Sequence, residues 1–461
     1  MSDRQTTTQL SNVDAYWLHI DDPVNPMVIT VLWGFDQPID FHQLRALVRE
    51  RLLVFERFRQ RIVFPRNDGR PHWELDPQFE LGVHLHHIAL PGAGTQADLR
   101  DLVSDLLSTT LDRARPLWQM YLVDRCGTGC ALIMRLHHCL ADGMALSNML
   151  LALTDQGAER ARAAAQAEHH GARSPLAAIS EAARAAEHVL HEGWDLISHP
   201  DQLLKLAGLG LSGAGAAGKL LLMSPDPPTL LKSPLNVAKR AAWSGPVALA
   251  DVKAAGKVNG ATVNDTLLTA ISGAVGRYLR ERGTQVEGLT IRAVVPVNLL
   301  PPGVAPNGGN HFGLVFVQLP IGVADSVERA ERIRAEMSAI KRSPEAVVAL
   351  GLMGAMGAAP IEIERMGVDM FATKGSLVIT NVPGPREPLS LAGHPIHRGM
   401  FWVPTARLGL GISILSYNGE VQLGILTDAG IIPDPERIVT AFHQEMDELI
   451  GLARQVNPVE G

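Results

Sequence analysis

Residues 136–143 read Leu-His-His-Cys-Leu-Ala-Asp-Gly, which places two imidazoles and a carboxylate within six positions. Histidine ionises near neutral pH, so one that leaves a strand end into a cleft can act as a general base. An apolar run, 131–136, precedes the motif and MALSNMLLAL follows it, the pattern of a strand and then a helix. Adjacent side chains in a strand point to opposite faces, so only one of His137 and His138 faces a substrate. Asp142, just ahead of Gly143, can accept from backbone amides or pair with a cation and so hold the loop. The plainer alternative is two satisfied core histidines and a helix-capping aspartate.

Other chemistry-bearing residues say less. Cys139 beside His138 invites a Cys-His nucleophile, but strand alternation separates neighbours, and a cysteine in such a place usually packs. His84 and His86 share one face of the run HLHHI, with His87 opposite, yet no cysteine or acid stands at ligand spacing, so no metal site is expected. His169-His170 falls in an Ala-rich segment and reads as exposed. The stretch GLGLSGAGAAG lacks both GxxxxGK[ST] and GxGxxG, so it is no phosphate cradle. Cys126 and Cys130 flank a Gly-Thr-Gly turn and read as separate thiols; three cysteines are too few for a disulfide framework.

The elements that position the motif divide the chain into three zones. In residues 1–155, MVITVLW (27–33) is a strand. Asp40 opens a helix with Gln43 at capping-box spacing and Leu44, Leu47, Val48, Leu52 and Phe55 on one face. A second helix starts near Thr95 and Asp98, and strands 118–124 and 131–136 form a hairpin. Residues 156–240, rich in Ala, Leu, Gly, His and Pro, read as a long helical crossover. Its apolar stretch, with Lys205 and Lys219 at the ends, either packs as a bridge or touches lipid. In residues 241–461 the alternation resumes. Val263-Asn264-Asp265 opens a helix, strands follow at 290–298 and 312–319, and a helix from Ser326 puts Val327, Ala330, Ile333, Met337 and Ile340 on one side. Strand 376–380 ends in Asn-Val-Pro-Gly-Pro, which must turn sharply. Asn418-Gly419 marks a hairpin, and Asp434-Pro435 starts the last helix. The result is an α/β chain of two similar domains joined by a crossover.

Composition narrows the function. With 41 Lys and Arg against 48 Asp and Glu, the 461-residue chain carries a net charge of −7, which argues against a nucleic-acid binder driven by overall charge. Charged residues make up 19%, below the roughly 25% of average domains, and apolar residues reach 46%, so the chain is folded and greasy. The N-terminus has no basic stretch followed by an apolar core, and Leu206–Gly218 is too short and glycine-broken to span a bilayer. Cytoplasmic residence is expected.

The HHxxxDG pattern of His137–Gly143 resembles the CoA-dependent acyltransferase superfamily. Within it the chain resembles the bacterial wax ester synthase/diacylglycerol acyltransferase family. The resemblance is carried by Leu10-Ser11-Asn12-Val13-Asp14, Pro26-Met27, Pro116-Leu117-Trp118, Asn264-Asp265, Asn381-Val382-Pro383-Gly384-Pro385 and Ser416-Tyr417-Asn418-Gly419, in order across nearly the whole chain. Two departures stand out: Val28 where the family usually has histidine, and Gly309-Asn310-His311 where it has an arginine last. Neither is read as touching the histidine motif, so both bear on chain or acceptor preference.

The resemblance implies two chloramphenicol-acetyltransferase-like α/β domains with an active-site channel between them. It implies direct transfer of a fatty acyl group from long-chain acyl-CoA, a co-substrate and not a resident cofactor, to diacylglycerol or a long-chain alcohol. His138 is then the base, assisted by His137; Asp142 and Gly143 shape the loop; Asn264 stabilises the developing oxyanion. Asp265, Pro116 and Trp118 are expected at the substrate, Asp265 also supporting its helix start. A membrane or lipid-inclusion surface is the expected partner, and no nucleic acid. Two rivals share the motif: a condensation-type acyltransferase with a carrier-bound donor, and a non-catalytic lipid-surface protein.

Overall fold

The computed structural model describes residues 7–65, 69–140, 143–158, 218–220, 222–299 and 312–456. Helix α1 (Asn12–His19) is capped by Ser11, whose hydroxyl accepts the Asp14 N–H. Strand β1 (Val28–Phe35) is apolar almost throughout and lies inside a sheet covered on both faces. Helix α2 (Phe41–Leu47) starts at Asp40 as expected, but its continuation is a π-helical turn over Val48–Leu52. Next come β2 (Leu85–Ala89), α3 (Gln96–Leu107), β3 (Trp118–Cys126), β4 (Gly129–His137) and α4 (Gly143–Leu151). Thr95 and Asp98 close a reciprocal capping box on α3.

The second half comprises β5 (Lys239–Trp243), α5 (Val263–Glu281), β6 (Ile291–Asn298), β7 (Phe312–Leu319), α6 (Ser326–Ile340), α7 (Glu345–Met356) and α8 (Ile361–Thr373). It ends with β8 (Leu377–Pro383), β9 (Arg398–Trp402), β10 (Leu410–Tyr417), β11 (Glu420–Asp428) and α9 (Glu436–Val456). The β10–β11 hairpin turns through Asn418 and Gly419, with φ of 49° and 78°. Those are the left-handed conformations that Asn-Gly accepts readily.

Two sheets result. One has the order β9-β1-β4-β3-β2, with β4 buried along its whole length. The other has the order β7-β6-β8-β10-β11-β5. Each builds its own apolar core. A third cluster joins them: Leu99 and Val103 of α3 pack with Ala241, Met400, Trp402 and Leu426.

Several expectations need correction. Residues 398–402, placed by sequence in the second domain, pair antiparallel with β1 in the first sheet, from Arg398↔Gly34 to Trp402↔Thr30. The Asn-Val-Pro-Gly-Pro segment does not turn at once: β8 stays paired with β10 up to Pro383↔Ser416. The two prolines have no N–H to satisfy, and Gly384 donates its own to the Ser416 carbonyl at 2.7 Å. On α6, Val327 is exposed and Arg329 is buried instead, its guanidinium bonded to Glu445 and to the carbonyls of Thr269 and Val323. The crossover lies mostly outside the described residues, as do Lys205, His169-His170 and Gly309-Asn310-His311. Lys219 pairs with Glu345 at the start of α7.

Candidate active site

Strand β4 ends at His137, where the residues just ahead of β3 and β1 accept the last two N–H groups. The His137 N–H donates to the Leu117 carbonyl (3.0 Å) and the His138 N–H to the Met27 carbonyl (2.8 Å). The two rings then part. His137 is 1% exposed; its Nδ1 accepts the Cys139 N–H at 3.1 Å, and its Nε2 lies 3.7 Å from Asp21 Oδ2. The His138 ring stacks on Trp17 of α1, with centroids 4.3 Å apart and 20° between planes, and touches Phe312 of β7 at 5.5 Å. Trp17 and Phe312 come from opposite halves of the chain, so the imidazole is held where the two sheets meet.

His138 borders a cavity of about 370 Å³, within the usual range for small-molecule sites. One wall is Ile29 and Val31 of β1 with Leu146 and Leu150 of α4. The facing wall is Val294, Leu314 and Val378 of the second sheet, and Met400 of the exchanged strand closes one side. A smaller apolar cavity of about 60 Å³ beneath α7 and α8 shares Val294, Leu314 and Ala406 with it. Polar groups on the large cavity are few: His138, Asn298, Thr380, Asn381 and Tyr417. The Tyr417 hydroxyl is already committed, accepting from the Leu389 N–H and donating to the Ile396 carbonyl.

Asn264 stands in the first turn of α5, and its Oδ1 accepts from Asn381 Nδ2 at 3.1 Å. Asn381 lines the cavity, so the two asparagines form a bridge from the helix start to the site. With Oδ1 occupied, the Asn264 amide nitrogen is a donor. Asp265 turns away: Oδ2 accepts the Thr262 N–H while its own N–H reaches the Thr262 hydroxyl, a capping box that fixes the helix start. Contrary to expectation, Pro116 and Trp118 do not line the cavity. Trp118 is 1% exposed, donates its indole N–H to the Phe58 carbonyl and stacks on His84 in the first core. Asp142 lies outside the described residues, and Gly143 opens α4 directly behind the loop.

Cys139 is fully buried, and burial pushes its thiol pKa well above the ordinary value. A thiolate nucleophile beside His138 is therefore disfavoured. His84 is bonded to the Trp118 carbonyl and His87 to Asp124. Sequence reasoning missed Trp17, Asp21, Arg113 and Phe312 at the site. Trp17 shows only as an apolar residue in a short helix, and Asp21 only as one acid of an Asp-Asp-Pro loop. Val28 also needs correcting: it faces His137 directly in the β1–β4 register, so this departure does adjoin the motif.

A histidine held in a largely apolar cleft where two α/β halves meet defines the architecture. Solved structures share it. The wax ester synthase/diacylglycerol acyltransferase from Marinobacter aquaeolei VT8 superposes with a TM-score of 0.68 at 24% identity, covering 97% of this chain and 100% of that one. The first condensation domain of the calcium-dependent antibiotic synthetase, in complex with substrate analogue 3a, gives 0.59 at 16% identity, covering 98% and 97%. Sequence is more specific. Residues 10–267 match the wax ester synthase/diacylglycerol acyltransferase catalytic domain, and residues 308–450 the WS/DGAT C-terminal domain. The chain belongs to the wax ester synthase/diacylglycerol acyltransferase family and is an acyltransferase of that type. Among its relatives, the Mycobacterium tuberculosis protein named "Probable diacyglycerol O-acyltransferase tgs1" is 26% identical over 97% of this chain and 96% of its own length.

Proposed function

We propose that the protein transfers a fatty acyl group from long-chain acyl-CoA to diacylglycerol or a long-chain alcohol, yielding triacylglycerol or wax ester, with His138 as the base. The observation that carries this is the His138 ring on a mostly apolar cavity, clamped by Trp17 and Phe312 from the two halves of the chain. His138 takes the acceptor's hydroxyl proton as that oxygen attacks the thioester carbonyl. The tetrahedral oxyanion is met by the Asn264 amide, steadied by Asn381. Collapse breaks the C–S bond, and the proton on His138 passes to the departing CoA thiolate. No acyl-enzyme is needed, because donor and acceptor meet in one cavity. Asp142 and Gly143 keep the loop in shape. The acceptors are membrane lipids, so the working place is the cytoplasmic face of a membrane or a lipid inclusion, approached peripherally. No helix among the described residues is long and apolar enough to cross a bilayer.

The test is CoA thiol release from palmitoyl-CoA with hexadecanol or dipalmitoylglycerol as acceptor, the lipid product being resolved by chromatography. His138→Ala is expected to lower kcat by about 10²- to 10⁴-fold. Turnover that survives the substitution refutes the assignment of the base. Absence of release with either acceptor, using the wild-type chain, refutes the substrates.

A further inference from the structure

Asp21 lies outside the histidine motif, in the loop between α1 and β1, and its side chain is 2% exposed. Its Oδ1 accepts the Met27 N–H at 2.7 Å, and its Oδ2 accepts Arg113 Nη2 at 2.9 Å. Arg113 Nη2 also donates to the carbonyls of Leu18 (3.2 Å) and Asp21 (2.8 Å), which ties the end of α1 to this loop. Burial raises the Asp21 carboxyl pKa, but His137, the Met27 amide and Arg113 outweigh it and hold the group below its ordinary 3.8. It is a carboxylate at neutral pH.

That charge has a geometric consequence for both histidines. Because His137 Nδ1 accepts the Cys139 N–H, the ring's proton sits on Nε2, the nitrogen that faces Asp21. His137 thus has no free lone pair to offer an acceptor hydroxyl. Met27 is held through its N–H by Asp21, and its carbonyl in turn holds the His138 N–H. Trp17, four residues before Asp21 on the segment that Arg113 grips, forms the stacking face for the His138 ring.

We propose that Asp21, backed by Arg113, is a positioning residue for acyl transfer: it sets the His137 tautomer and the Met27 carbonyl, and through them the place of the His138 imidazole. The proposal rests on His138 being the base. Asp21→Asn keeps an acceptor for Met27 but turns an NH₂ toward two donors, Arg113 Nη2 and His137 Nε2.

The experiment measures kcat and KM for palmitoyl-CoA in Asp21→Asn, His137→Ala, the double variant and His138→Ala, with thermal unfolding of each. Asp21→Asn is expected to lower kcat by about 10- to 100-fold with KM within about twofold, the scale of a small misplacement of a catalytic group. The double variant should be no slower than His137→Ala, since both act through one element. Arg113→Ala, at a half-exposed residue, should show a smaller kcat loss of the same kind and serves if Asp21→Asn fails to fold. Three results would overturn the proposal: Asp21→Asn with kcat within twofold of wild type, losses that multiply in the double variant, or folded Arg113→Ala with unchanged kcat. Turnover in His138→Ala would instead bring down the base assignment.

Discussion

The asparagine bridge separates a stabiliser of charge from a mere helix cap. Asn381 donates a neutral hydrogen bond of 3.1 Å to Asn264 between partly buried side chains. Such a bond contributes about 0.5–1.5 kcal/mol net. If its role is to aim Asn264, Asn381→Ala lowers kcat by about 2- to 13-fold, at 1.36 kcal/mol per factor of ten. Asn264→Ala removes the donor itself and should cost about 10²- to 10³-fold. The two substitutions act in series, so Asn264→Ala/Asn381→Ala should be no slower than Asn264→Ala alone. Stopped assays of thiol release under saturating palmitoyl-CoA, with hexadecanol as acceptor, give kcat for all four proteins. The reasoning fails if Asn264→Ala is no worse than Asn381→Ala, or if the two losses multiply. The helix start itself is held by the Thr262–Asp265 capping box, which both variants leave intact.

Two further outcomes are expected. Trp17→Leu keeps an apolar side chain but removes the stack on His138, a contact of about 1 kcal/mol. Turnover should fall about fivefold while the protein stays folded by circular dichroism, and an unchanged kcat would show that the stack does not hold the base. Asp428 accepts from the buried Lys239 ammonium at 2.9 Å, and Lys239 also grips the carbonyls of Val24 and Asn236. Burial raises the Asp428 carboxyl pKa, but Lys239 and Asn236 prevail and lower it below 3.8. Its contribution is therefore complete above the unfolded pKa and is lost as pH falls through the folded one. Asp428→Ala should cost about 3–5 kcal/mol in urea unfolding at pH 7 by stranding Lys239. The gap to wild type should narrow below about pH 4; a gap that is the same at pH 3 would rule out the ion pair as its source.

What could be read from the chain was local. A strand, two histidines and a helix run consecutively over residues 129–151, so His138 at a strand end followed from pattern alone. The same holds for the Thr95–Asp98 cap and the Asn418-Gly419 hairpin, where a few adjacent residues decide the backbone. The family resemblance extended this reach, because it supplied the significance of the motifs in their order and the expectation of a channel between the two domains. Pattern had already placed Asn264 on a helix start, whereas the resemblance put Trp118 at the substrate, when packing against Phe58 and His84 keeps it in the core.

Sequence by itself determined the motif, most of the elements and the greasy character of the chain, because periodicity, capping and turn preferences act over a few residues. Tertiary structure alone decided what surrounds His137 and His138. Trp17, Asp21, Val28 and Phe312 reach the histidines from more than a hundred residues away in the chain. Strand β9 leaves its own half to complete the other sheet. Those contacts come from burying two sheets and their shared apolar cluster together, a long-range packing solution to which no short window of residues corresponds.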